Sequence, residues 1–471
     1  MISLQLNRVL YFLGFVLLTF YVVFFSVTEN YETLFFPIIF VLVCFLFFNP
    51  KLFGYLFILS TVNFLGLINP EHFVRIPGVF KFDDLLFISM VGIYIVSNLR
   101  EGWRFPTDNV FVLLTLIIMS FVFMTICQFF LTSIRFDLPV ISSLKVGRGF
   151  LFILSFFYFV KFFSTTHEKH QLLKFIFAIA IIQVVMMLLQ ILGFEIAEHS
   201  IVRQLETVDD SVTRVYLPAY FIASISFFTS TSFLISTHSS HNRLIITIIS
   251  ILSLLSILLS YTRTYWVAII VGLIVLFILS ERIARYKLLL CALIVLVLFL
   301  PMILFQSDGF IMDRFFSIFF EVKDREGNFI YRFTENPQRI IAFLDYPIFG
   351  PGFVHSSYAA SLFNFVIDEK GLSESQVERA LLLQTNDSGL ITLLVSFGLL
   401  GVCWALCKIV SVIRICLCLT YNANRSIVVA MVAFIISIWS TCATTYGFTY
   451  QDGIVALSLS LYLIWGFCSQ N

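Results

Sequence analysis

Charge is what this sequence has least of. Only 12% of its 471 residues are Asp, Glu, Lys or Arg, about half the share found in a soluble chain. Hydrophobic residues make up 60% and the mean hydropathy is +0.99. Its 58 Phe residues exceed what an aqueous globule could hide, so the chain reads as a membrane protein. A basic field is also lacking: 29 basic and 28 acidic residues leave a net charge of +1, which argues against a nucleic-acid partner. The nine cysteines fall in apolar segments or beside cytoplasm-side turns with no pair in an outer loop, so no disulfide framework or zinc cluster is indicated. There is no Asp-x-Asp and no Gly-rich lysine loop to hold a nucleotide or its metal. No internal repeat is evident, which weakens a reading as an inverted-repeat transporter.

What is present is a succession of apolar runs near the 20 or so residues that a spanning helix needs. The strongest lie at 9–27, 33–48, 52–69, 109–131, 172–193, 215–237, 244–260, 264–280, 287–305, 389–407 and 427–445. Weaker candidates are 84–98, 141–163, which carries Lys145 and Arg148, and 453–468. The fold class is therefore all-α and polytopic, with about 12–14 transmembrane helices. A bundle at 1–305 and a terminal group at 389–471 are separated by a long outer loop, 306–388, containing short helices. Lys and Arg resist translocation. With the amino terminus inside, the short cytoplasmic segments hold fourteen bases, Lys408 and Arg414 among them, against four acids. Both termini are then cytoplasmic, and the first apolar run reads as a retained helix.

Long loops are usually functional, and charged groups kept near a span require a reason. Arg263 lies in Ser260-Tyr-Thr-Arg-Thr-Tyr-Trp266, a polar hinge between two apolar helices. It is either a snorkelling anchor among interfacial aromatics or a guanidinium fork that grips a phosphate. In the long loop, Pro337 suits a first helical turn, and that helix would run through Ile340–Leu344 and stop before Pro347. It would present Arg339 in its opening turn, where the dipole favours an anion, with Arg332 one turn earlier. Phe349-Gly-Pro-Gly352 follows as a tight turn, and His355 is the loop's only histidine. Asp387 or Ser388 is a natural N-cap for the span beginning at Leu390. Asp387 could instead orient or deprotonate a hydroxyl. A second outer loop, 194–214, is acidic and closes on Arg214.

The order of these features over roughly 200–410 resembles the O-antigen ligase/polymerase family: Tyr-Thr-Arg-Thr at a span end, a long outer loop, Arg before a short helix, Pro-Ile-Phe-Gly-Pro-Gly, a polar cap, and a span with Gly398-Leu-Leu-Gly401. Members are polytopic enzymes that transfer undecaprenyl-diphosphate-linked glycans at the outer face of the bacterial inner membrane. The resemblance implies diphosphate binding by Arg263 and by Arg339 or Arg332, with Arg214 as a further family arginine. It implies membrane lipid and an undecaprenyl-diphosphate-linked glycan as partners, a chain-length regulator as a possible one, and no cofactor. The ligase branch carries a His-Asn type pair where this chain has Asp387 and Ser388, and the missing histidine tilts the reading toward a polymerase.

In that reading a sugar hydroxyl of one lipid-linked unit attacks the anomeric carbon of another as the diphosphate departs. Arg263 and Arg339 stabilise the departing charge, and Asp387, or else His355, activates the acceptor. The alternatives are an O-antigen ligase and, from a different class, a lipid-linked glycan flippase. The flippase would line its spans with charge, whereas here charges cluster at span ends and in the long loop.

Overall fold

The computed structural model describes residues 49–61, 82–103, 105–191, 206–207, 213–214, 219–236, 242–260, 262–290, 338–363, 383–384, 388–419, 423–442 and 447–468. The helices are α1 (Pro50–Thr61), α2 (Phe82–Glu101), α3 (Asn109–Phe136), α4 (Val140–Gly147), α5 (Ser155–Phe162), α6 (Thr166–Ile191), α7 (Tyr220–Ile235), α8 (Arg243–Leu259) and α9 (Arg263–Leu279). They continue as α10 (282–290), α11 (338–344), α12 (Ser356–Phe363), α13 (Gly389–Cys418), α14 (Ala423–Ser440) and α15 (Gln451–Cys468). Among the described residues, five helical stretches are long and apolar enough to cross a membrane: Asn109–Phe136, Val140–Phe162, Thr166–Leu189, Gly389–Cys418 and Gln451–Cys468. The all-α polytopic class holds, with one small addition. Glu206–Thr207 and Thr213–Arg214 pair antiparallel, Glu206 opposite Arg214, inside the acidic loop. The expected spans at 9–27 and 33–48, and most of 287–305 and of the 306–388 loop, lie outside the described residues.

Local chemistry sets the helix ends. The Asp108 side chain accepts from Phe111 N at 2.8 Å and starts α3, and Asp137, at φ 51°, ends it. Along α3 the exposed Leu116, Met119, Phe123, Ile126, Phe130 and Ile134 recur every three or four residues, forming the stripe a helix offers to lipid. The centre of the bundle is α7, α14 and α15, buried almost all round. Without a hydrophobic drive inside lipid, such helices associate through small residues and shared hydroxyls. On the α7–α8 seam Ser226 pairs with Ser253 at 2.8 Å and Thr231 with Ser250 at 2.9 Å.

Three elements differ from their sequence reading. The short candidate at 84–98 is a full 20-residue helix. The candidate at 141–163 is α4, a 3₁₀ turn at Arg148–Leu154, and α5; Arg148 Nε meets the buried Asp84 carboxylate on α2 at 3.1 Å. Most consequential, α13 is not a continuous rod. Gly398 sits at φ 63°, ψ −153° in its middle, a region open essentially only to glycine. Lys408, assigned by loop counting to a cytoplasmic flank, is instead fully buried within α13, because three aromatic rings enclose its ammonium end.

The break at Gly398 creates a new helix start with unpaired N–H groups and a new helix end with unpaired carbonyls. The Pro347–Gly352 turn satisfies both. Leu399 N donates to Pro347 O at 2.9 Å, Leu400 N to Ile348 O at 3.3 Å, and Gly352 N to Val395 O at 2.8 Å. A Cβ on Gly350, at φ 72°, would stand 2.5 Å from Val395 O and 2.6 Å from Leu394 O. One on Gly398 would overlap the Ile348 carbonyl. Gly398→Ala should therefore cost about 1–3 kcal/mol in backbone strain alone, more with the clash, read as a lowered melting temperature in detergent. An unchanged melt would mean that the two segments are not interlocked.

Candidate functional site

The turn docks about 14 Å along the helix from the α13 cap, taking 1.5 Å per residue. Irregular backbone against a membrane span survives in lipid only if every polar group finds a protein partner. A polar ladder on α3, at positions i, i+4 and i+7, supplies much of what is needed. Gln128 Nε2 donates to Phe349 O at 3.1 Å, Thr132 Oγ1 accepts from Phe353 N at 3.0 Å, and Arg135 Nη1 donates to Gly350 O at 2.6 Å. Gln384 Nε2 donates to Gly352 O at 2.8 Å, and Gly350 N reaches back to Tyr346 O at 2.7 Å. The Arg135 guanidinium also lies over the Tyr346 ring, 4.3 Å from its centroid, a cation–π contact that fixes the plane of the fork.

A small apolar cluster joins the surrounding pieces: Leu138 beyond α3, Ala342 on α11, Val354, Ala359 on α12, Leu383, and Val395 on α13. Arg339, 1% exposed, opens the described part of α11 on its protein side. The other face of α11 and the turn expose Ile340, Ile341, Leu344, Ile348 and Phe349, and Leu390, Leu399 and Leu400 of α13 are exposed as well. An apolar surface of this size around a paired backbone turn suits lipid rather than water.

His355 caps α12: its Nδ1 accepts from Ser357 N at 3.3 Å and pairs with Ser357 Oγ at 2.9 Å, while its carbonyl accepts from Tyr358 N and Ala359 N. Burial, assisted by the positive charge of Lys145, holds its imidazole below the ordinary value of 6.5. Ser388 takes the capping role expected of the Asp387–Ser388 pair, accepting from Ile391 N at 3.3 Å and donating to Cys442 O at 3.3 Å.

The site residues read from the sequence are only partly brought into view. The glycine turn docks on the first half of α13, Ser388 caps that helix, and Arg339 and His355 lie on α11 and at the start of α12, each of which adds a residue to the small apolar cluster with Val395. Arg332 and Asp387 lie outside the described residues, as do the side chains of Arg263 and Arg214. The Arg263 backbone opens α9, where Tyr265 stacks on Tyr220 of α7 with centroids 3.5 Å apart; that of Arg214 lies in the small hairpin. Arg135, Gln128 and Thr132 were missed as site residues. The only signal available was a polar triplet spaced i, i+4, i+7 within an otherwise apolar span.

Two measurements probe this arrangement. Gln128→Leu leaves the Phe349 carbonyl without its donor and should cost about 1–3 kcal/mol, seen as a drop in thermal stability with helix content unchanged. For His355 the depressed folded value means that the unfolded chain binds more protons at mildly acid pH. The cap on α12 is then fully effective above 6.5 and weakens as pH falls below it. Amide protection at Tyr358 and Ala359, corrected for intrinsic exchange, should decline from pH 7 to pH 5 and stay level in His355→Asn.

No curated protein matches the chain. A family model described as O-Antigen ligase matches residues 248–406, from within α8 through α9, the long loop and the docked turn to the second half of α13. The interlock of turn and broken span thus falls inside a segment similar to the O-antigen ligase family, within a chain of long apolar helices.

Proposed function

We propose that the chain is a surface-polysaccharide polymerase of the bacterial inner membrane, with both termini in the cytoplasm and the docked turn at the outer face. The carrying observation is the turn itself, held against the span, preceded by α11 with its buried Arg339 and bordered by exposed apolar side chains. A donor whose polyprenyl tail stays in lipid would bring its diphosphate to such a place sideways. Arg339 and Arg263 hold the diphosphate in this reading, with Arg332 and Arg214 as further contacts. Arg135 adds positive charge at the turn.

The hydroxyl oxygen of a second lipid-linked unit forms the new bond to the anomeric carbon. The bond from that carbon to the diphosphate oxygen breaks, and its electron pair leaves with undecaprenyl diphosphate. The hydroxyl proton passes to Asp387, or to the neutral imidazole of His355. Charge grows on the departing oxygen, so donors aimed there lower the barrier by about 3 kcal/mol each. A diphosphate is already a competent leaving group, so the reading calls for neither metal nor cofactor. A chain-length regulator fits as an accessory partner.

A ligase would use the same donor site with a different acceptor. Polymerase is favoured because Asp387 and Ser388 occupy the place of the ligase-type pair and Ser388 is committed to capping. Loss of the gene should leave single units on the lipid carrier, whereas loss of a ligase would leave long polymer there. Arg339→Ala and Arg263→Ala, at normal protein level, should each abolish the polymer ladder. Full-length chains from either variant would remove that arginine from the mechanism.

A further inference from the structure

The second half of α13 carries a group for which glycan transfer has no evident use. Lys408, ten residues beyond Gly398, is fully buried, and its Nζ has no hydrogen-bond partner among the described residues. A lysine in a membrane helix ordinarily snorkels to the interface. Here Nζ is enclosed by rings, 4.2 Å from the Trp439 centroid, 4.6 Å from Trp404 and 5.0 Å from Phe448. Cys442 is the titratable group that faces it.

The cage is anchored on both sides of the break. Trp404 donates its indole N–H to Ile117 O at 2.8 Å and stacks on Phe121 at 4.1 Å. Phe121 meets Phe397, the residue before Gly398, at 5.2 Å. On the other side Trp439 packs on Phe448 at 5.7 Å. Three residues on from Trp439, the Cys442 carbonyl accepts from Leu390 N at 2.8 Å and from Ser388 Oγ at 3.3 Å. The end of α14 therefore holds the start of the first half of α13 through Cys442 and the second half through Lys408.

We propose that Lys408 is a positioning residue: the ring cage around its Nζ latches the second half of α13 to the end of α14 and the Gly447–Thr449 turn, and so sets the angle at Gly398 on which the docked turn depends. Its consequence for transfer rests on the turn being the donor site; the latch itself does not. Replacing a buried, unpaired charge by an apolar residue of similar length is often neutral or stabilising, which separates positioning from mere support.

The test is Lys408→Met in lipid nanodiscs, read by amide exchange at Leu399 and Leu400, by melting temperature and by polymer synthesis. The expected result is exchange at least tenfold faster at those two amides, an unlowered melting temperature, and a transfer rate at least tenfold lower with donor KM little changed. Exchange at wild-type rates would overturn the latch, as would faster exchange spread over all of α13 with a lowered melt. Faster exchange with full transfer would support the latch and remove the turn from the active site. Should the Met variant fail to insert, Trp439→Phe keeps the packing but weakens the ring face. It should raise the same exchange rates severalfold, and unchanged rates would overturn the proposal.

Discussion

Backbone inside a bilayer has no water to bond with, and that constraint organises this protein. A helix meets it automatically; a turn does not. The Pro347–Gly352 turn lies against the middle of a span and nevertheless has its carbonyls at 347, 348, 349, 350 and 352 accepting and its N–H groups at 350 and 352 donating. Pro351 contributes no donor to be satisfied. Three of those partners are made available by breaking α13 at Gly398, which frees the N–H groups of Leu399 and Leu400 and the carbonyl of Val395. The break and the turn each supply hydrogen-bond partners that the other lacks.

Gln384 and the Tyr346 carbonyl supply two more of the turn's partners, and the rest come from α3, which lies outside the matched 248–406 segment. The family-like portion of the chain is thus not a self-sufficient site, since its central turn hangs on Gln128, Thr132 and Arg135. A column of rings, Phe129, Phe353, Phe150 and Phe397, packs behind the same turn with centroids between 5.1 and 5.5 Å apart. Some of the 58 Phe residues therefore fill the space beneath an irregular backbone, a use distinct from facing lipid.

Much of this architecture was legible in the chain. Composition gave the polytopic class, Pro337 and Pro347 bracketed α11, and the polar residues before Leu390 marked a cap that Ser388 fills. The break was not legible, because Leu390–Gly401 reads as one apolar run and a glycine inside it could as well serve close packing. The α3 ladder was hidden for a different reason. Gln128 and Thr132 each meet their partners 221 residues away, and no local pattern encodes such a contact. Lys408 was misplaced because counting charges at span ends presumes that a lysine seeks water, whereas its rings come from separate elements and are gathered only by folding.

The central claim is that the turn sits within the membrane, paired and facing lipid, rather than in the aqueous space outside it. A nitroxide at Phe349, placed by Phe349→Cys in an otherwise cysteine-free chain, tests this through its collisions with oxygen and with a water-soluble nickel chelate in a bilayer. Frequent encounters with oxygen and few with nickel would match the account. A label freely reached by nickel would contradict it.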